Sequence, residues 1–253
     1  MKRSSEPDGQ QSACRQSDRS QGNGGHLPFR LSALCIPLLA GCGQAPLSAL
    51  HPASGQAGHI ANVWQVMAWG SLLILLIMLT LVFLAVSSRS KVRRRHSFWL
   101  LLGGGVLFPV SVMAALLAYT YLGAPPAADA QFRVRVMAQQ WHWQVSYPDA
   151  SGGARHSINV IHIPRGVPTL IELQASDVIH SFWVPRLGGK MDAIPGRINR
   201  LVYTADEPGA YHGQCAEYCG VGHAAMQFQL IAHEPDQLEQ VLASLPTDQQ
   251  GAP

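Results

Sequence analysis

The sequence predicts two membrane-spanning helices followed by a single exported all-β domain, and three observations carry that prediction. The chain of 253 residues is 47% apolar and only 13% charged, a composition too apolar for an ordinary soluble protein. Between Arg19 and Asp129 there is no Asp or Glu. From Ala124 onward twelve Asp/Glu stand against eight Lys/Arg. The net charge of +3 therefore belongs to the N-terminal region and one short loop, and it describes no nucleic-acid-binding face.

Residues 1–29 are polar, rich in Ser, Gln and Gly and without apolar periodicity, as expected of a disordered segment. Arg30, a short apolar run and small residues then follow in the layout of a secretory signal. Leu39-Ala40-Gly41-Cys42 resembles the lipobox of bacterial lipoproteins, which implies cleavage before Cys42 and its lipidation. Residues 1–41 are thus expected to be a disordered N-terminus and signal peptide. Residues 42–62 are expected to be an exported linker.

Residues 63–86 and 98–122 are apolar runs without a polar face. At about 1.5 Å per residue each spans a hydrocarbon core of roughly 30 Å. The second run holds Gly103, Gly104, Gly105 and Pro109, which membrane helices tolerate better than soluble ones. Between the runs, residues 87–97 carry Arg89, Lys91, Arg93, Arg94 and Arg95, so this loop is expected to face the cytoplasm. Everything after Leu122 is then delivered to the far side.

Residues 123–245 change texture to short period-two runs, such as "FRVRVMAQQWHWQVSY" and "TLIELQ", broken by "SGG", "PRG", "RLGG" and "EPGA". That is the pattern of a small β-sandwich or barrel. "EPDQLEQVLASL" predicts a closing helix with acids in its first turn. Residues 246–253 form a tail.

Within this domain "GQCAEYCGVGHAAM" gathers Cys215, Cys219, His223 and Met226. An exported compartment favours a Cys215–Cys219 disulfide, but that leaves the histidine and methionine unexplained. Zinc would accept the two cysteines, His223 and a distant histidine. A thioether is a poor zinc ligand, whereas Cys, His and Met together suit copper. Two thiolates point beyond one metal ion, since bridging sulfurs can hold two coppers, each capped by an imidazole. His180, after the strand-like run "ASDVIH", is the candidate second imidazole.

"QQWHWQVSYPD", "DVIHSFWVPRLGGKMDAIPGRINR" and "YHGQCAEYCGVGHAAMQF" together resemble subunit II of haem-copper cytochrome c oxidases. The pattern Cys-x-Glu-x-Cys-x3-His-x2-Met is the most specific part. The resemblance implies a cupredoxin-like Greek-key barrel carrying a dinuclear copper centre of the CuA type. By the same resemblance Cys215 and Cys219 bridge the coppers, His180 and His223 are terminal ligands, Met226 is an axial ligand, and Glu217 gives its backbone carbonyl. The Glu217 side chain is implied at a magnesium site shared with subunit I, and Asp192 at the subunit I interface. Trp141 aligns with the tryptophan that receives electrons from cytochrome c, and Trp143 with its neighbouring aromatic. Read as strand residues at i and i+2, both would lie on one face. His142 and His96 stand where relatives commonly carry an aromatic and a glutamate.

The implied function is that of an oxidase subunit. It accepts single electrons from cytochrome c and passes them to haem in subunit I, where oxygen is reduced and protons are translocated. No oxygen-reducing catalytic residue is expected in this chain, and the absence of Cys-x-x-Cys-His implies a separate haem-bearing donor. Its implied place is the bacterial plasma membrane, crossed twice, beside subunit I and the other oxidase subunits. A quinol oxidase subunit would lack the ligands, and a nitrous oxide reductase would need a further domain. The alternative from another class is a membrane-anchored copper carrier or assembly factor.

Overall fold

The computed structural model describes residues 45–87, 94–126, 128–148 and 153–247. Cys42 and most of the basic loop fall outside these residues. The first helix, α1 (Gly55–Ser87), starts well before the apolar run at 63. Ser54 explains the earlier start: its hydroxyl accepts from the Ala57 N–H at 3.0 Å, an N-cap that needs no apolar periodicity. Residues 55–62, expected as linker, are therefore helical.

The second apolar run lies in α2 (Arg94–Leu102), a π-helical turn at Gly103–Leu107, and α3 (Phe108–Leu122). The three consecutive glycines sit in the π turn. Two helical spans, Gly55–Ser87 and Phe98–Leu122, are long and apolar enough to cross a membrane. Their outer ends meet, with a His59 ring nitrogen 3.0 Å from the Thr120 carbonyl oxygen.

The β domain is a sandwich of two five-stranded sheets. The first has the order β3-β2-β1-β5-β8 and the second β4-β10-β9-β6-β7. In the first sheet β1 (Phe132–Gln139) pairs antiparallel with β2 (His142–Pro148) and parallel with β5 (Thr169–Ala175). The edges are β3 (Ala154–Ile158) and β8 (Asn199–Tyr203). In the second, β10 (Gln227–His233) runs between β4 (Val160–Pro164), parallel to it, and β9 (Gly209–Cys215), antiparallel. Next come β6 (His180–Trp183) and β7 (Met191–Ala193). The crossovers between sheets give the expected cupredoxin-like arrangement, as two facing sheets.

Period-two alternation fills the space between the sheets. Val134, Val136 and Ala138 of β1, Ile171 and Leu173 of β5, and Phe228 and Leu230 of β10 are all buried. The closing helix α4 (Pro235–Ser244) buries Leu238. The segment before α1 is fixed to the sandwich. The Ala53 N–H donates to the Arg186 carbonyl, the Asp206 N–H donates to the Ala53 carbonyl, and the Ser54 hydroxyl donates to the Leu187 carbonyl at 2.7 Å.

Candidate metal centre

The end of the second sheet builds the centre. β9 and β10 are antiparallel neighbours, and the chain between them, residues 216–226, loops out and returns so that the Cys215 N–H donates to the Met226 carbonyl at 3.0 Å. The Ala216 N–H donates to the Ser181 carbonyl at 2.9 Å, tying the loop to β6. A short 3-10 turn, His223–Ala225, then aims His223 back toward the cysteines. Because Phe182 lies opposite Cys215, the inward-facing His180 stands at the same end of the sandwich.

Six donors converge there. The Cys215 and Cys219 sulfurs are 3.8 Å apart and unbonded, so the disulfide reading does not describe this state. His180 Nδ1 lies 3.9 Å from the Cys215 sulfur, and His223 Nδ1 lies 3.6 Å from the Cys219 sulfur. The Met226 sulfur is 3.8 Å from Cys219, and the Glu217 carbonyl oxygen is 3.2 Å from Cys215. His180, Cys215 and Cys219 are buried and place their ligand atoms within 4.8 Å of one another, a group able to hold a metal ion. Two thiols, two imidazoles, a thioether and a carbonyl form a soft donor set that suits copper better than zinc.

Electrostatics agree with a site completed by a cation. Burial pushes the Cys219 thiol up to about 11, and Cys215 beside it adds to the rise, so metal binding here must displace protons. His180 presents Nδ1 to the sulfurs while its Nε2 lies 2.9 Å from Asp177 Oδ1, the second contact that fixes a ligating imidazole. Burial works to raise the Asp177 carboxyl, but hydrogen bonds from the Gln140 N–H, His180 and the Val178 N–H outweigh it and hold the group below its ordinary value. Among the described residues, two buried polar atoms have no hydrogen-bond partner, Trp143 Nε1 and Ser181 Oγ, and both lie on residues next to His180.

The two tryptophans separate. Trp143 is fully buried, edge-on to Phe182 and Phe228 with centroids 5.4 and 5.3 Å away. Trp141 is 43% exposed. The shared-face expectation fails because β2 begins at His142: Gln140 and Trp141 form the two-residue turn of the β1–β2 hairpin, so strand periodicity does not reach Trp141. Trp143 is a core residue, and Trp141 alone lies at the surface.

Asp192 and the Glu217 carboxylate share an open groove of about 700 Å3 with Val178, Ile179 and Tyr218. Lys190 lies between the two acids, 3.6 Å from Asp192 and 3.4 Å from Glu217. Sequence reasoning left Asp177 unassigned and missed Gln140. The available signal for Asp177 was its place three residues before His180, within reach of the same imidazole.

Comparisons with known proteins point in one direction. Residues 154–232 match the family model described as cytochrome c oxidase subunit II, periplasmic domain. The chain is 33% identical over 221 residues to cytochrome c oxidase subunit 2 of Alkalihalophilus pseudofirmus, an alignment covering 79% of this chain and 63% of that protein. The family model and this relative name the same protein, subunit II of cytochrome c oxidase. The chain spans about 63% of the length of this curated relative. Among solved structures it is similar to the periplasmic domain of subunit II of cytochrome oxidase (CoxB) of Bradyrhizobium japonicum. That match has 27% identity and a TM-score of 0.44, over 47% of this chain and 96% of that one. A subunit of a heme-copper terminal oxidase dimer is 24% identical, with a TM-score of 0.37, over 55% of this chain and 100% of that one. The two apolar helices and the match to a periplasmic-domain family model support a membrane-anchored chain with an exterior domain.

Proposed function

We propose that this chain is subunit II of a cytochrome c oxidase, that it receives single electrons from a cytochrome c at a dinuclear copper centre, and that it passes them to haem in subunit I, where oxygen is reduced to water and protons are translocated. The observation that carries this reading is the convergence of Cys215, Cys219, His180, His223, Met226 and the Glu217 carbonyl at one end of the sandwich. Cys215, Cys219, His180, His223, Met226 and the Glu217 carbonyl would together hold the copper pair, which would supply a one-electron couple whose charge change is spread over the metals and the sulfurs.

The protein's own part is preorganisation. The backbone bonds from Cys215 to Met226 and from Ala216 to Ser181 hold the loop, and Asp177 holds His180, so the ligands need little rearrangement when charge changes. Trp141 at the surface beside the loop would receive the electron, with Trp143 acting as packing beneath it. Glu217 and Asp192 would face subunit I and offer carboxylates to magnesium there. The acidic balance of the exported domain would steer a basic donor, raising the rate of encounter more than the affinity. The helices would cross the bacterial inner membrane twice against subunit I, with the β domain in the periplasm or outside the cell.

The test is an electron paramagnetic resonance spectrum of the copper-loaded full chain in detergent, with copper counted on the same sample. Two coppers per chain sharing one unpaired electron, a signal lost in Cys215→Ser, are expected. One copper with single-nucleus splitting would favour the copper carrier instead.

A further inference from the structure

The turn bearing Trp141 is seated on the ligand loop, and glycine makes the seat. A Cβ on Gly222 would lie 2.8 Å from Trp141 Cε2 and nearer still to Cγ and Cδ2, so no side chain fits between the loop backbone and the indole. Gly220 has φ +119°, where L side chains are strained; a Cβ there would meet Gln140 Nε2 at 3.1 Å and the indole at 3.6 Å. Gln140 then ties the turn down from two directions. Its side-chain amide donates to the Cys219 carbonyl at 2.7 Å, and its backbone N–H donates to Asp177 Oδ2, also at 2.7 Å. Asp177 in turn holds His180. One exposed aromatic is thus seated on the glycines of the loop that carries Cys219 and His223, and its turn is tied through Asp177 to His180.

We propose that Gly222, with Gly220 and Gln140, acts as a positioning seat that holds the Trp141 indole in contact with the ligand loop, so that an electron from a docked cytochrome crosses at the shortest distance. The proposal rests on the electron-receiving role given to Trp141 above. Electron flow is simple in balance: the ferrous haem of the donor is oxidised by one electron and the copper pair is reduced by one, with no bond made or broken. Carbon atoms pack at about 3.5–4.0 Å, so an added methyl at Gly222 must lift the ring by roughly 1 Å. A 1 Å misplacement can cost up to about hundredfold in rate, and a slowing on the order of tenfold is expected.

The experiment uses the full chain in detergent with 5-fluorotryptophan incorporated. In the metal-free protein, the fluorine resonance that disappears in Trp141→Phe should shift in Gly222→Ala. In the copper-loaded protein, Gly222→Ala should keep two coppers and an unchanged resonance spectrum. Its reduction by a basic soluble c-type cytochrome should slow about tenfold, while reduction by ascorbate stays within about twofold. Trp141→Phe should slow the cytochrome reaction similarly, and the double variant should be no slower than either single one, as expected for residues acting as one unit. Gln140→Leu, which leaves the loop backbone untouched, should slow the same reaction in the same direction by less.

An unmoved fluorine resonance, an altered copper signal, or a moved ring with an unchanged cytochrome rate each overturns the seat. A Trp141→Phe variant as fast as the parent overturns the electron-receiving role of Trp141, and the seat with it. Loss of the two-copper signal in the parent chain is the separate failure of the function proposed above.

Discussion

Acidification should loosen the β domain through one histidine pair. His162 on β4 and His233 at the end of β10 place Nδ1 and Nε2 2.9 Å apart, with ring centroids separated by 5.1 Å. The Tyr147 hydroxyl accepts from the His162 N–H at 2.7 Å, and its ring lies 6.4 Å from the imidazole. Burial first, and the nearness of His233 second, hold His162 down to about 4, while burial lowers His233. An unfolded histidine titrates near 6.5. Between pH 6.5 and 4 the unfolded chain therefore binds more protons than the folded one, and stability rises with pH across that window. The contribution is complete above about pH 7 and lost as pH falls through 4. The difference between about 6.5 and about 4, at roughly 1.4 kcal/mol per pH unit, gives about 3.5 kcal/mol as an upper bound for His162, and its partial exposure lowers that. Urea unfolding of the full chain in detergent, followed by near-ultraviolet circular dichroism, should show about 2 kcal/mol lost between pH 7.5 and 4.5. His162→Phe should flatten that dependence. Equal pH slopes in the chain and the variant would refute the reasoning.

Two further outcomes follow from the site and the core. Asp177→Ala removes the carboxylate that holds His180 Nε2, and copper affinity should fall about 10- to 100-fold in competition with a chelator, with the fold unchanged by circular dichroism. Gly213→Ala puts a methyl into the Phe228 ring. The overpacking should cost about 1–3 kcal/mol, measured as a lower urea midpoint, and a midpoint equal to that of the parent would mean that the ring has room to move.

Some of this was legible in sequence and some was not, for physical reasons. Five of the six donors lie within residues 215–226, so their residue types and spacing announced a candidate soft-metal site without any tertiary information. The two apolar helices were legible because their runs have no polar face, but the start of α1 was set by a single capping hydroxyl on Ser54. The split between Trp141 and Trp143 was hidden because a two-residue turn interrupts the period-two pattern, and periodicity alone does not mark where a hairpin turns. The His162–His233 pair was hidden more deeply. The parallel pairing of β4 with β10 joins residues 71 positions apart, and no local pattern foretells it.

The core and the centre depend on each other through one aromatic cluster. Phe182 stacks on Phe228 at 4.3 Å, and Trp143 meets both edge-on while its ring lies 6.1 Å from that of His180. Phe182 pairs with Cys215 across β6 and β9, and Gly213 leaves the space that the Phe228 ring fills. The rings that hold the two sheets together therefore also fix the strand ends from which His180, Cys215 and Met226 depart. A loop anchored on such a floor is held by dense packing, which transmits strain and yields little. The chain thus keeps its ligands rigid from below, through apolar burial, and from the side, through Asp177 and Gln140. Trp141, exposed outside that core, is positioned by its turn and the glycines beneath it, so substitutions there should alter the proposed electron delivery without altering the proposed ligand set.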